Sequence, residues 1–398
     1  MTVKNRIIFV CNAIEDSVRL ERNITTDSPA CSRKIFLMSK ALKLSGERVL
    51  IVSMGRGLAG GSDTYHSGRA KFSKGIPVIY APYSERKILS ELISLISLPY
   101  ILFRLRRYPG GTSVIFWNRT SAYIPALFIS LLLGFSRFLD LEDGDLQDSS
   151  WTLGRLYIIL KRKLYNRLCS SGSIISCKAL SSSLGRMDHL CYYGVSENIS
   201  DSKTFDSNNR IVFLLGGTVS VDTGAITLFN AIKLLRELNQ SWVERIEFVI
   251  TGKGDCIHLF EQFGNAVNFP SVKVMGRLND IEYNKVLASA NVGLALKQVN
   301  GPLASTTFPS KVIEMASAGL LIITTDISDV RAVFGECGAV YLSDDEPESL
   351  VRAIRWIFDN PRDANAISAR SAAVVRHKLS LSSGGEALKN FLKANNVQ

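Results

Sequence analysis

The sequence predicts an α/β protein built from two doubly wound, Rossmann-like parallel-sheet domains that face each other across a cleft. Three observations carry this. Short β-rich runs alternate with helical patterns almost from end to end, the signature of βαβ units. At 398 residues the chain is too long for a single ordinary core. A polar stretch at 196–209, "SENISDSKTFDSNN", interrupts the alternation and reads as a linker. The expected boundaries are 1–200, 201–372 and 373–398, the last a helical segment packing back onto the first domain.

The strands of the first domain are expected at Ile7–Cys11, Val49–Ser53, Val78–Tyr80, Val114–Trp117, Arg137–Leu141 and Ile174–Ser176. Those of the second are expected at Ile211–Leu215, Ile246–Thr251, Val272–Met275, Val292–Ala295, Leu321–Thr324 and Ala339–Leu342. Helical patterns at Lys34–Ser45, Ala225–Leu238 and Ile281–Ala288 lie between them. Ligands of such sheets sit outside the carboxyl ends of the strands, so the inter-domain cleft is the expected site.

Composition narrows the class. Apolar residues make up 46% and charged residues 21%, as in a globular protein. Seven cysteines, at 11, 31, 169, 177, 191, 256 and 337, form no CxxC pair. That argues for reduced cytosolic thiols, against a disulfide framework and against a zinc site. The four histidines are dispersed, at 66, 189, 258 and 377, without metal-ligand spacing. "GGTVSVDTG" and "GKGD" are Gly-rich turns after strands, but neither fits G-x-G-x-x-G, and the chain has no P-loop and no GxSxG. "RIIFVCNAI" is followed by Glu15 and Asp16 and reads as a first strand rather than a secretory signal. The apolar runs Ile88–Phe103 and Ala122–Phe135 fall short of the roughly 20 residues that span a bilayer.

Charge is distributed unevenly. Residues 1–208 hold 28 Lys and Arg against 17 Asp and Glu, whereas residues 209–398 hold 19 of each. The whole net charge of +11 therefore lies in the first half. This suggests an anionic partner for that half, nucleic acid or an anionic membrane face, unless it is a solvated basic surface. Two segments favour the membrane. In Ile88–Phe103, Leu89, Leu92, Ile93 and Ile96 form a stripe opposite Ser90, Glu91, Ser94 and Ser97, followed by "RLRRY". "RLYIILKRKLYNRL" at 155–168 combines Arg155, Lys161, Arg162, Lys163 and Arg167 with Leu156, Ile159, Leu160 and Leu164 and contains no acid. Basic amphipathic helices of this kind lie on anionic lipid. No recognised nucleic-acid module is present.

The densest motif is "TTFPSKVIEMASAGLLIITTD" at 306–326. Pro309 suits a first helical turn, where its missing N–H costs nothing, and Gly319 suits the helix end before a buried strand. Backbone N–H groups near Ser310 and Lys311, with the helix dipole, form an anion site suited to phosphate. Lys311 adds a full charge. Glu314, three residues on, shares its helix face and can accept from two vicinal ribose hydroxyls. Cation and carboxylate together read as a nucleotide half-site. The alternative is a plain Lys311–Glu314 ion pair on a capped helix.

"FPSKVIEMASAGLLIITTD" resembles the nucleotide-sugar signature of the retaining family-4 glycosyltransferases of GT-B fold, which often read P-S-K-x-x-E-x-x-A-x-G-x-P-V-I-x-x-D. Further segments follow the family's order: "RIVFLLGGTVSVDTGAITLFNAI", "FVITGKGD", "VKVMGRLNDIEYNKVLASANVGLAL" and, upstream, "FLDLEDGD", "IISCKALSSSL" and "CYYGVS". The resemblance covers residues 110–375 well and the first 100 loosely. It implies a donor-binding second domain and a first domain that takes the acceptor and faces the membrane. The implied activity is transfer of a sugar from a nucleotide-sugar to a glycan acceptor with retention of configuration.

The bacterial polysaccharide members further imply a lipid-linked acceptor, as in O-antigen or capsule assembly. Such a protein would work in the cytoplasm, peripherally at the inner face of the cell membrane. No metal and no organic cofactor is required. Where the family commonly places the first Glu of E-x7-E, this chain has Thr306. The usual Arg and Lys after the donor domain's first strand fall on Thr218 and Thr223. The diphosphate is then left to Lys311, to backbone N–H groups around Gly217 and Thr218, or to Arg277.

Asp140, Glu142, Asp143 and Asp145 cluster after a strand, and Glu142 and Asp143 are the candidates to position an acceptor hydroxyl or act as a base. A retaining mechanism needs no dedicated base, because the leaving phosphate can take the proton. Two other readings stay open: a sugar-nucleotide epimerase of the same fold, and a catalytically silent nucleotide-sugar-binding or scaffold protein, the latter suggested by Thr306, Thr218 and Thr223.

Overall fold

The computed structural model describes residues 5–59, 64–108, 110–144, 153–206, 208–238, 240–264, 269–301 and 304–396. The chain divides into two compact units, one comprising 1–195 with 381–398 and the other 196–380.

The first unit is built on an eight-stranded sheet: β1 (Arg6–Cys11), β2 (Arg48–Ser53), β3 (Arg69–Ser73), β4 (Ile76–Tyr80), β5 (Thr112–Trp117), β6 (Ser136–Leu141), β7 (Gly172–Ile175) and β8 (His189–Cys191). Its order is β8-β7-β6-β5-β1-β2-β4-β3. Every pairing is parallel except the β3–β4 hairpin. The inner strands read as continuous apolar runs because both faces are covered; Ile8, Phe9, Ile51, Ile115 and Phe138 are buried. Helix Pro29–Leu44 starts with Pro29 after Ser28, whose hydroxyl accepts from the Cys31 N–H, and it buries Ile35, Met38 and Leu42. Helix Leu381–Ala394 packs on it, with Leu388 and Leu392 in the shared core. The chain builds outward from β1 through β2 to β4 and β3, then returns to lay β5 on the other side of β1. The topological switch point therefore lies between β1 and β5.

The second unit has six parallel strands: β9 (Ile211–Thr218), β10 (Ile246–Lys253), β11 (Ser271–Gly276), β12 (Val292–Ala295), β13 (Leu321–Thr325) and β14 (Val340–Leu342). Their order is β11-β10-β9-β12-β13-β14, so the switch point lies between β9 and β12. Its core joins Phe213, Phe248, Ile250, Leu294, Ile323 and Ile354.

The polar stretch expected as a linker begins where the second unit does, at Ser196, and its backbone docks on that unit: the Ser200 N–H donates to the Ser317 carbonyl (2.7 Å) and the Lys203 N–H to the Gly319 carbonyl (2.8 Å). The Phe205 N–H donates to Asn365 Oδ1 (2.6 Å). Polar composition here reflects backbone docking at the surface of the second unit. Gly319, at φ 76°, ends the helix as expected, and its missing Cβ also makes room: a side chain there would meet the Asp201 carbonyl at 2.0 Å.

Candidate active site

At the switch point of the second unit, the strand ends approach one another without side chains. A Cβ on Gly252 would stand 1.7 Å from the Gly217 carbonyl, so the ends of β9 and β10 meet backbone to backbone. After β9 the loop is braced by Thr223, whose hydroxyl donates to the Thr218 carbonyl (2.7 Å) and accepts from the Ser220 N–H (3.0 Å). The residue standing where the resemblance has a cation is thus an internal strut. Gly224 then opens helix Ala225–Glu237.

Across the switch point, β12 is followed by a loop and by helix Lys311–Ser317. A Cβ on Gly217 would be 3.2 Å from Lys311 Cε, which places Lys311 over the end of β9. Its ammonium contacts Glu314 Oε2 at 2.7 Å, with side-chain exposures of 36% for the lysine and 8% for the glutamate. The third member is Tyr283, whose hydroxyl lies 3.2 Å from Lys311 Nζ and 3.5 Å from Glu314 Oε2. The ammonium also stands 4.6 Å from the Tyr283 ring centroid, a cation–π distance.

Tyr283 comes from helix Asp280–Ser289, whose start is fixed by a reciprocal cap between Asn279 and Glu282. A Cβ on Gly216 would meet its hydroxyl at 2.9 Å. The result is a buried carboxylate held by a partly exposed cation, both resting on a glycine-floored strand end. The cation can meet a phosphate and the carboxylate can exchange its ion pair for hydroxyl donors.

The structure brings together Glu314, Lys311 and Gly217, with Thr218 next along β9. Ser310 stands differently from expectation: its N–H already donates to the Phe308 carbonyl (2.9 Å), and its side chain caps nothing. The helix has seven residues, so its dipole is short. Charge at this end therefore comes mainly from Lys311. Thr306 lies in the turn before this helix, partly buried. Arg277 is exposed in the loop after β11. Sequence reasoning missed Tyr283, because nothing local links it to a lysine 28 residues on; only the strand order does.

In the first unit, Asp140 lies fully buried one residue before the end of β6, and Glu142 follows the strand. Both meet Lys34 of helix Pro29–Leu44, at 2.7 Å and 3.2 Å. Burial pushes the Asp140 carboxyl up to about 6, with Lys34 opposing and Glu142 reinforcing the shift. Burial disfavours the Lys34 ammonium, but the two carboxylates outweigh it and raise its pKa. Asp143 is partner to other groups of the chain, and Asp145 lies outside the described residues. Lys34 was also missed from the sequence. Among the described residues, no group of three or more His, Cys, Asp or Glu is arranged to hold a metal ion, and no helix is long and apolar enough to cross a membrane. A concavity of about 540 Å³ in the first unit, lined in part by Lys163, Arg167 and Arg186, shares no lining residue with either cluster.

Residues 209–360 match the family model "Glycosyl transferases group 1", a span that contains Tyr283, Lys311 and Glu314. A sequence search of curated proteins finds no match. Among solved structures, HepE from Anabaena in complex with UDP-glucose aligns at a TM-score of 0.65 and 13% identity, covering 98% of this chain and 99% of that one. Sucrose-phosphate synthase from Thermosynechococcus elongatus aligns at 0.67 and 12%, covering 98% of each. An α,α-trehalose-phosphate synthase (UDP-forming) from Burkholderia xenovorans in complex with glucose-6-phosphate aligns at 0.66 and 9%, covering 98% and 100%. The fold is GT-B, and the chain is a glycosyltransferase.

Proposed function

We propose that this glycosyltransferase moves a sugar from a UDP-sugar to a hydroxyl of a lipid-linked glycan, with retention of configuration, at the anionic inner face of a cell membrane. It would serve assembly of a surface polysaccharide of the O-antigen or capsule type. The observation that carries the donor half is the Tyr283–Lys311–Glu314 trio on the glycine floor of the second switch point. Lys311 takes the diphosphate and Glu314 the ribose hydroxyls; the backbone around Gly217 and Thr218 admits the phosphates closely. UDP is chosen because HepE was solved with UDP-glucose and the trehalose-phosphate synthase is UDP-forming. In the reaction, the bond from the anomeric carbon to the diphosphate oxygen breaks. The bond to the acceptor oxygen forms on the same face, and the acceptor proton passes to the leaving diphosphate.

The membrane half is supported by the first unit. Helix Lys87–Arg104 exposes Ile88, Leu92, Ile96 and Tyr100, its neighbour Ile124–Leu132 exposes Phe128, Leu131 and Leu132, and helix Leu153–Leu168 exposes Leu156, Tyr157 and Leu160. Cations Arg104, Arg107, Arg155, Lys163 and Arg167 are exposed on or beside the same helices. Exposed apolar area rimmed by cations suits anionic lipid.

Calorimetric titration with UDP, GDP, ADP and CMP, followed by transfer assays on extracted lipid-linked glycans, tests the whole reading. Tight UDP binding with a retained product by NMR is expected. Turnover of a free UDP-sugar without acceptor would establish the epimerase instead. Nucleotide binding without any turnover would establish a silent binding protein, the reading that Thr223 as an internal strut favours.

A further inference from the structure

We propose that Lys34 and Asp140 are positioning residues that hold the carboxylate of Glu142 against the acceptor hydroxyl at the switch point of the first unit. The proposal rests on the transferase reading above and names its acceptor-side machinery.

Glu142 is gripped from the ends of two neighbouring strands and from a helix. Its N–H donates to Asn118 Oδ1 (2.9 Å) beyond β5, and its carbonyl accepts from the Ser176 hydroxyl (2.5 Å) beyond β7. Asn118 is itself fixed: it adopts a φ of 54°, and its N–H donates to the Asp140 carbonyl (2.6 Å). The side chain is held by Lys34. Side-chain exposure is 0% for Asp140, 14% for Lys34 and 19% for Glu142, so Glu142 is the member best able to meet a ligand. It stands outside the carboxyl end of β6, beside the β5 side of the switch point, where doubly wound sheets take their ligands.

Stability does not account for this cluster. A buried ion pair gains little over well-packed apolar residues. Asp140 Oδ2, moreover, is buried without a hydrogen-bond partner, an arrangement that costs free energy. The chain places this carboxyl on a strand whose neighbours are Leu139 and Leu141. Its single bond goes to Lys34, and Lys34 reaches on to Glu142. The pair thus orients a carboxylate that a flexible glutamate alone would leave free.

The groups facing Asp140 are Lys34 and Cys31 from helix Pro29–Leu44, Cys11 from β1, Tyr192 after β8 and Glu142 just beyond its own strand. Both thiols and the Tyr192 phenol are pushed up, Cys11 to about 12, and stay neutral near pH 6. Asp140, raised to about 6 by burial, titrates there. When it takes a proton, Lys34 loses one of two anions and draws wholly on Glu142. Glu142 then accepts the substrate hydroxyl less well. Transfer should fall as pH falls through about 6, with an apparent pKa belonging to the cluster.

The test is the double variant Lys34→Met/Asp140→Leu, which strands no buried charge. It should fold and bind UDP as wild type does, while kcat for transfer falls about 100-fold, the scale of a misplaced reacting group. Glu142→Gln should show the same loss, and the combined variant no further loss, since the three act as a unit. Asp140→Asn, nearly isosteric, should fold and lose the acid limb near pH 6. Wild-type transfer by the double variant, losses that multiply with Glu142→Gln, or an unchanged acid limb in Asp140→Asn overturns the proposal and leaves the donor reading standing. A wild-type protein that transfers no sugar from any nucleotide-sugar overturns both.

Discussion

Lys311 and Glu314 neutralise each other at 2.7 Å, but only Glu314 is buried, and that asymmetry separates their roles. Glu314→Gln keeps the shape and leaves the ammonium free for phosphate, so the fold should survive. Losing a charge-assisted hydrogen bond to ribose costs about 1.5–3 kcal/mol, so UDP affinity should drop roughly 10- to 100-fold. Unchanged affinity in calorimetry would falsify the ribose assignment. Lys311→Ala should weaken UDP binding far more than uridine binding, because only UDP presents phosphate charge. Equal losses would mean that Lys311 merely supports Glu314.

Both residues were legible in the sequence because i,i+3 spacing on a helix is a local rule. Tyr283 and Lys34 were not, since each meets its partners only through strand order. Asp140 adds a stability signature. Its carboxyl is raised above the unfolded value of 3.8 to about 6, so the native state holds a proton that the unfolded chain releases. That stabilisation is complete below about pH 4 and is lost as pH rises through 6. Urea denaturation should show wild type losing stability relative to Asp140→Asn across this interval; parallel curves would mean that folding leaves the Asp140 carboxyl at its unfolded value.

At the scale of elements, helix Lys87–Arg104 turns its apolar stripe away from the core. The stripe with Leu89, Leu92 and Ile96 faces outward, as its expected place on lipid requires, whereas of the polar residues opposite it only Ser90 and Ser94 are buried and Glu91 is exposed; Ile88 is 78% and Ile96 72% exposed. Small side chains let this helix lie close against helix Ile124–Leu132, and the Ser94 hydroxyl is satisfied by the Ser90 carbonyl at 2.9 Å. Ile88→Ser/Ile96→Ser should therefore leave Tm nearly unchanged, since Ile and Ser differ little in helix propensity. Lipid insertion of each isoleucine contributes about 1.5–3 kcal/mol, so binding to phosphatidylglycerol vesicles should fall at least 100-fold. Unaltered sedimentation with vesicles would assign this face to another partner.

The twelve strands read from the sequence all exist, with ends shifted by up to two or three residues. The edge strands β3 and β8 escaped notice. β3 alternates Arg69, Ala70, Lys71 and Phe72, the mixed pattern of an antiparallel edge, and β8 has three residues.

At the scale of the molecule, each unit has a charged cluster at its own switch point, and neither order, β8-β7-β6-β5-β1-β2-β4-β3 nor β11-β10-β9-β12-β13-β14, follows from periodicity. The alternation announced parallel sheets; which strands neighbour which depends on crossovers that leave no local mark. The chain also leaves the first unit at Val195 and re-enters it at Leu381, so the last helix completes a core begun almost 400 residues earlier. Leu388 and Leu392 are buried there, and the Phe391 ring packs 5.9 Å from that of Phe138.

Three such side chains contribute about 1.5–3 kcal/mol each, comparable to the whole stability of a domain. Truncation after Ser380 should therefore unfold the first unit. The second keeps every strand from β9 to β14 and the helix Pro361–Lys378, where the Ser368 hydroxyl donates to the Gly319 carbonyl at 2.8 Å. Calorimetric melting of the truncated protein should retain a transition that UDP raises and lose one that UDP does not. If both transitions persist, the first unit is stable without its returning helix, and the burial of Leu388 and Leu392 matters less than their depth implies.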